Sequence, residues 1–494
     1  MKKRFFGFAL AIVTMFVSAC SGTGGVSKSN DAADMSEEIT LQWYFPCANH
    51  PDTEMVFEQA NQILKEKLNL TVDFSPVEFG SYEQKMQIIN AGRGDYDVCF
   101  TSNWLNNYYT NVERESFVDI TDMLPQYAPG LYEEISEKYW DGVKINDRIY
   151  AVINQQIMAR QTGFAVPKPL VEEFNINMDE INTIADFEPY LRKIVAKYPQ
   201  CNQLTNSWEW ASLGLFGFES VFGDETPPVI RLNAELNKYE VINQYETQEY
   251  KDYIQLRSRW HAEGLTKESL LTDSEKSGAV MRGGKLYQPF RILSTYKPGV
   301  ETEDAIANGV EFVYKKIGAP ILTSSGVTST LNAVSATSRY PERALQMLNL
   351  MNTDKELFNT VYLGLEGIHY TKIGENKVKQ SETNRFSPAA WVLGNQFNAY
   401  ILDGQADDVW EETQKLNDEA QLSPLYGFLP DTKKISVQLA SCKSVVGEYK
   451  TALGEGVGDT DQLYSEFIAK LDAAGVNTLI DELQTQIDAW VAKK

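Results

Sequence analysis

Ile39-Thr40-Leu41-Gln42-Trp43-Tyr44-Phe45 opens the stretch that decides the fold. Its residues read as a strand. After it, Asp52 is placed to cap a helix whose Val56, Ala60, Ile63, Leu64 and Leu68 share one face at helical spacing. Leu70-Thr71-Val72-Asp73-Phe74 alternates as a strand does. Ser81 and Gln84 have the spacing of a capping box for a second helix, which buries Tyr82, Met86 and Ile89 and ends at Gly92. Tyr96 to Phe100 is the third strand. A β-α-β-α-β run predicts a parallel sheet with right-handed crossovers. In open sheets of this kind ligands sit beyond the carboxyl ends of the strands. Thr101, Ser102, Asn103 and Trp104 follow one such end, and Tyr44, Phe45 and Cys47 stand at another.

Toward the N-terminus, Lys2, Lys3 and Arg4 precede an apolar run from Phe5 to Val17, and Ser18-Ala19 lead into Cys20. A bilayer span needs ~20 apolar residues, so this run is too short to be one. It has the charge pattern of a secretory signal. Val17-Ser18-Ala19-Cys20 resembles a lipobox, which predicts cleavage after residue 19 and a diacylglyceryl group on Cys20. Residues 20–36 are then a flexible tether, rich in Gly, Ser, Asn and Asp. The expected location is the outer face of a bacterial cytoplasmic membrane.

Toward the C-terminus, Ile149 to Asn154 is a short apolar strand leading to Gln155-Gln156. Glu180 to Lys197 and Gln248 to His261 have helical periodicity, with a Trp208-Glu209-Trp210 group in the loop between them. Gly318 to Ala336 has the texture of a crossing segment. Pro341 starts a helix, Thr353 and Glu356 suggest a second capping box, and Asn477 is placed to cap a last helix in which Ile480, Leu483, Ile487 and Trp490 repeat.

Composition narrows the function. Cleavage after residue 19 deletes Lys2, Lys3 and Arg4, taking the net charge from −23 to −26. Such a chain repels nucleic acid and anionic headgroups. At 43% hydrophobic residues it can bury large cores. Beyond Cys20, Cys47, Cys99, Cys201 and Cys442 lack metal or redox spacing, and a Cys47–Cys99 disulfide is permitted by export but not required. His50, His261 and His369 share no metal-ligand spacing, so no metal or cofactor is expected. There is no G-x-S-x-G elbow, H-E-x-x-H or phosphate loop. Gly454-Glu455-Gly456-Val457-Gly458 lies between helices and reads as a turn. With 68 Asp and Glu, a carboxylate pair at glycosidase spacing arises by chance and carries no weight.

The order of these features resembles the extracellular solute-binding proteins of ABC importers, the maltose-binding-protein-like group. More narrowly it is similar to a Gram-positive lipoprotein subfamily with a C-terminal domain of unassigned role. The resemblance is carried by Asn61 to Trp104, by Asp147 to Val152, and by Pro341-Glu342-Arg343-Ala344 through Asn352-Thr353-Asp354-Lys355-Glu356 to Gly364-Leu365-Glu366-Gly367-Ile368-His369-Tyr370. Gly394-Asn395-Gln396-Phe397 and the Glu482-Leu483-Gln484 helix add to it. One departure is Ile153, where the family often has proline.

The resemblance implies an α/β fold of the type II binding-protein kind, with two lobes, each a mostly parallel sheet flanked by helices, and a ligand cleft between them. It places 37–150 with 325–385 in one lobe and 155–320 with 386–494 in the other. It implies a monomeric, non-catalytic protein that captures a solute and delivers it to permease subunits. Family and composition together favour an oligosaccharide. A surface-anchored glycoside hydrolase, an adhesive lipoprotein and a binding protein for peptide or another non-sugar solute are the rival readings.

Sugar clefts need flat apolar faces and a few fixed polar groups. Trp104 is the leading candidate. Trp43 and Tyr44 face opposite sides of one strand, so either could reach the cleft. Thr101, Ser102, Gln155 and Gln156 are candidate hydrogen-bonding residues. Trp208 and Trp210 either line the opposite lobe or cover its core. Trp391, Asn395 and Gln396 sit where the family's third crossing is expected. Arg282 and Lys285, around Gly283-Gly284, either form a surface loop or meet an acidic sugar. Glu366, His369 and Tyr370 read as a structural loop.

Overall fold

The computed structural model describes residues 35–92, 94–204, 208–209, 213–233, 238–267, 281–282 and 285–493. Cys20 and Trp210, both named above, lie outside them.

Strand β1 (Ile39–Pro46) buries Ile39, Leu41, Trp43 and Phe45 on one face, the period-two pattern of a half-covered strand. Helix α1 (Thr53–Leu68) turns Val56, Phe57, Ala60, Ile63 and Leu64 inward and stops at Asn69, which adopts a left-handed conformation. Strand β2 (Leu70–Val77), helix α2 (Phe79–Ala91), strand β3 (Val98–Thr101) and helix α3 (Tyr108–Glu113) follow. Strand β4 (Val152–Ile153) ends this part of the chain.

The second lobe begins with β5 (Gly163–Pro167) and α4 (Glu188–Lys197). A hairpin of β6 (Pro228–Asn233) and β7 (Lys238–Asn243), helix α5 (Gln248–Ala262), and strands β8 (Arg291–Leu293) and β9 (Phe312–Lys316) complete it. The chain then returns to the first lobe with β10 (Leu331–Val334), α6 (Pro341–Thr353) and α7 (Lys355–Leu363). It closes with three long helices packed on the second lobe, α8 (Ser436–Glu455), α9 (Thr460–Ala474) and α10 (Val476–Val491).

The first sheet has the order β2-β1-β3-β10-β4. The expected β-α-β-α-β run is present, since β1 pairs in parallel with both β2 and β3. Strand β10 runs antiparallel between β3 and β4. The second lobe's sheet, β8-β5-β9, is wholly antiparallel, so the mostly parallel arrangement belongs to the first lobe alone. Each lobe has its own hydrophobic core, one built on β1–β4, α6 and α7, the other on β5, α4, α5 and α8–α10. Residues 386–399, grouped with the second lobe in the sequence reading, bury Phe386, Ala390, Val392 and Leu393 in the first-lobe core.

Three segments cross side by side between the lobes. Arg160 bridges Ile321, and Ile321-Leu322 pairs in parallel with Gln421-Leu422. Buried Asn417 ties two of them: its carbonyl accepts from the Met158 and Ala159 amides at 2.8 and 2.9 Å, and its amide donates to the Gln156 carbonyl at 2.6 Å. The third crossing therefore runs at Gln421-Leu422 rather than at Trp391–Gln396.

Four of the expected caps differ. Ser81 already lies within the first turn of α2, where its hydroxyl donates to the Glu78 carbonyl. Asp354, not Thr353, caps α7, its carboxylate accepting from the Leu357 amide at 2.8 Å, while Thr353 bonds back to the Asn349 carbonyl. Asp52 makes no cap; its buried carboxylate pairs with Arg385 and His369. Gly475, at φ +91, precedes α10, and Asn477 turns to Asp472 instead. In each case the polar side chain is bonded to another partner.

All four described cysteines are free thiols, Cys47 and Cys99 included. Burial pushes their thiols up to about 11 and about 12. Among the described residues, no helix is long and apolar enough to cross a membrane, and no group of three His, Cys, Asp or Glu could hold a metal ion.

Candidate functional site

The site grows out of the turn after β3. Thr101 donates its hydroxyl to the Asn106 carbonyl at 2.5 Å, and the Ser102 hydroxyl accepts from the amides of Trp104 and Leu105 at 3.2 and 2.8 Å. Asn103 fastens the turn to the returning chain, its amide group donating to the Ser325 carbonyl at 2.7 Å. Asn106 completes it in a left-handed conformation, φ +47. With its neighbours committed, Trp104 is pushed outward. Its indole N–H donates to the Ser329 carbonyl at 2.9 Å, and 38% of its surface stays exposed.

Trp104 does not stand alone. Its ring lies 6.2 Å from that of Trp391, which in turn lies 5.8 Å from Phe79 at the start of α2. Phe100, in the sheet beneath, touches both tryptophans at 6.3 and 5.9 Å. Two of these aromatics, Phe79 and Trp104, line a cavity of about 800 Å³ between the lobes. That lies within the range of roughly 300–1,000 Å³ usual for small-molecule sites.

The opposite wall is polar. Phe222 to Thr226, a second-lobe loop, faces the Trp104 turn so closely that a Cβ on Gly223 would lie 3.5 Å from the Asn103 carbonyl oxygen. Asp224 pairs with Arg160 at 3.0 Å. Burial raises the Asp224 carboxyl above its ordinary range, and the Arg160 guanidinium opposes the shift. Glu225 pairs with Lys450 of α8. Lys443, one helical face along, donates to the Trp104 carbonyl at 3.4 Å across the cleft. The arrangement offers flat apolar faces on one side, and charged donors and acceptors on the other.

The remaining candidates lie elsewhere. Trp43 is wholly buried against Phe45 and Phe74. Tyr44 points to the other face of β1, where it meets Tyr96 and Lys85. Trp208 is a second-lobe core residue whose indole N–H donates to Gln244. Gln155 and Gln396 meet backbone to backbone in the crossing region, where Gln156 donates to Thr330. Asn395 caps a short 3-10 turn and donates to Glu134. Lys285 is exposed and does not line the cavity; Arg282 pairs with it in a short two-stranded hairpin. His369 is structural: Nδ1 accepts from the Leu365 amide at 2.9 Å, and Nε2 faces Asp52 at 3.3 Å.

Sequence reasoning missed Phe79, Arg160, Asp224, Lys443 and Lys450. Phe79 had a signal, an aromatic two residues beyond the end of β2. The others had none, because their meeting depends on how the lobes face each other.

Comparison with known proteins extends the picture. Residues 424–492 match a family described as a domain of unknown function, DUF3502. A carbohydrate ABC transporter substrate-binding protein of Streptococcus pneumoniae serotype 4 is 24% identical over 99% of each chain. Among solved structures, the N-glycan transport solute binding protein NgtS of Streptococcus pneumoniae, in complex with Man5GlcNAc, superposes with a TM-score of 0.77 at 23% identity, covering 92% of this chain and 99% of that one. An extracellular solute-binding protein from Bifidobacterium longum subsp. infantis gives 0.61 at 14% identity, covering 92% and 99%. The likeness is one of fold: over 92% of its length this chain has the type II fold of these solute-binding proteins.

Proposed function

We propose that this protein is the substrate-binding component of an ABC importer for an oligosaccharide, held outside the cytoplasmic membrane by a lipid on Cys20. The observation that carries the reading is the interlobe cavity with Trp104 and Phe79 on one wall and ion-paired polar groups on the other. A pyranose ring has one largely CH face, which an indole covers without a desolvation penalty, and a rim of hydroxyls that need fixed donors and acceptors. The named ligand of the similar NgtS structure makes Man5GlcNAc and Man1GlcNAc the first probes.

The lobes move about the crossing strands at 160, 321 and 421, with ligand favouring the closed arrangement. The protein acts as a monomer that presents the closed form to permease subunits. Two acyl chains on Cys20 suffice for stable anchoring.

One observation favours the rival hydrolase reading: Asp224, in the cleft, has the raised carboxyl that a general acid requires. Its pairing with Arg160 argues for a structural charge instead. The deciding experiment incubates the full mature chain with Man5GlcNAc, follows thermal unfolding and recovers the sugar by chromatography. Binding is expected to raise the melting temperature, since ligand at 100 Kd adds ~2.7 kcal/mol, and the sugar is expected back intact. Cleaved sugar establishes the hydrolase. No shift with either probe or a wider sugar panel removes the oligosaccharide reading.

A further inference from the structure

The segment that opens the 424–492 domain of unknown function lies along the seam between the lobes. It follows closely on the third crossing strand, Gln421-Leu422. Its apolar residues are divided between the two cores. Leu425 and Phe428 are buried in that of the second lobe, while Tyr426 and Leu429 pack against that of the first. The Tyr426 hydroxyl donates to the Lys138 carbonyl at 2.5 Å. Asp431 then fastens the chain to α10: its amide donates to the Gln486 side chain and its carbonyl accepts from it, both at 2.9 Å. Thr432 comes next, held on the second-lobe side by this pair and by Ile435 in the core.

Thr432 reaches back across the seam. Its amide and its hydroxyl donate to Glu113 of α3, one to each carboxylate oxygen, both at 2.7 Å. Helix α3 belongs to the first lobe, whose core takes in its Tyr108 and Tyr109. Three features set this contact apart from an incidental touch of two surfaces. Thr432 is 0% exposed, so in this arrangement its donors depend on Glu113. The two bonds are charge-assisted, the shorter and stronger kind. Glu113 also ends its own helix, where the dipole disfavours an acid, so α3 itself gains nothing from a carboxylate there.

We propose that Glu113 and Thr432 form a clasp between the lobes, and that the C-terminal domain thereby sets the balance between open and closed forms. Tyr426 and Leu429, close to the crossing strand, are the pivot, and Thr432 is the catch. Glu113 and Thr432 are positioning residues, since neither lines the cavity beside Trp104. A contact made in the closed form and lost in the open one stabilises closure before a ligand arrives, so less of the closing is left for the ligand to drive. The inference rests on the two-lobed binding-protein reading above, but not on the identity of the solute.

The test uses the full mature chain, Glu113→Ala, Thr432→Val and the double variant. Small-angle X-ray scattering gives the radius of gyration of each, without sugar and with saturating Man5GlcNAc, and calorimetric titration gives the affinity. Without sugar the variants are expected to have a larger radius than the wild type; with it, all four are expected to share one. Glu113→Ala should bind about tenfold more weakly and Thr432→Val several-fold. The double variant should bind no more weakly than Glu113→Ala, because the two residues act as one contact. Equal radii without sugar overturn the clasp, whatever the affinities. Larger radii with wild-type affinity also overturn it, because closure would then not bear on binding. Should Glu113→Ala melt lower, Thr432→Val, which keeps the shape of the side chain, decides: a larger radius with weaker binding supports the proposal, and wild-type values overturn it. A wild type that takes no heat with Man5GlcNAc removes the oligosaccharide reading alone. The sugar-free radii then decide the clasp, larger ones supporting it and equal ones overturning it.

Discussion

Trp104 is exposed because its neighbours are not. Thr101, Ser102 and Asn103 spend their polar groups on the turn, so the indole is presented on a rigid base, which limits the ordering cost of binding. Trp104→Ala should therefore weaken oligosaccharide binding by about 1–3 kcal/mol, with circular dichroism and melting close to wild type, because the ring is not in the sealed core. A collapsed fold would place it in the core instead. Glu219 gives a second residue-scale prediction. Burial raises its carboxyl, only partly offset by the Ser423 hydroxyl donating at 2.5 Å. A raised carboxyl favours the protonated folded state, so its contribution is intact below the ordinary value of ~4.3 and is lost as pH rises through the raised one. Glu219→Gln keeps the acceptor and cannot ionise. Its melting temperature should match wild type at low pH and exceed it at neutral pH; a difference independent of pH would contradict this. Residue roles were only partly legible in the sequence. Position after a strand end put Trp104 ahead of Trp43 and Trp208, but nothing in the sequence removed those two as candidates, because their rings fill cores formed by residues far away in the chain.

At the scale of elements, periodicity was informative and polar side chains were not. The β1-α1-β2-α2-β3 order and helix α5 stand as the apolar spacing predicts. The caps moved because Ser, Thr, Asn and Asp choose among several nearby partners. Asp354 is the cap that the structure identifies for α7, and it also holds Lys67 at 2.6 Å. Asp354→Ala should cost about 1 kcal/mol in urea unfolding, whereas Thr353→Ala should cost less. Helices α5 and α8 are joined by a buried pair, Arg257 with Glu455, whose exposures are 0% and 3%. Removing one partner leaves a buried charge, so Glu455→Ala should destabilise by about 3–5 kcal/mol. A change below about 1 kcal/mol would mean that water reaches the pair.

At the scale of the molecule, two separate cores are joined by three crossing segments at Arg160, Ile321 and Gln421, which is the basis for the proposed closure of the lobes as rigid bodies. Two contacts join distant segments here: Lys443 donates to the Trp104 carbonyl at 3.4 Å, and the Glu113 carboxylate accepts from both the amide and the hydroxyl of Thr432 at 2.7 Å. Two-lobed architecture was legible in the sequence through the order and spacing of family-like segments. The facing wall was not, because Arg160, Asp224, Lys443 and Lys450 meet only when distant segments are folded against one another. Anchoring is tested separately: Cys20→Ala should release the protein into the medium, and unchanged membrane retention would contradict a lipid on that residue. The central claim is that an oligosaccharide binds between the lobes against Trp104. Calorimetric titration of the wild type and Trp104→Ala with Man5GlcNAc tests it most directly. The account predicts saturable binding by the wild type and about tenfold weaker binding or worse by the folded variant; no binding by the wild type, or equal affinity in the two, would contradict it.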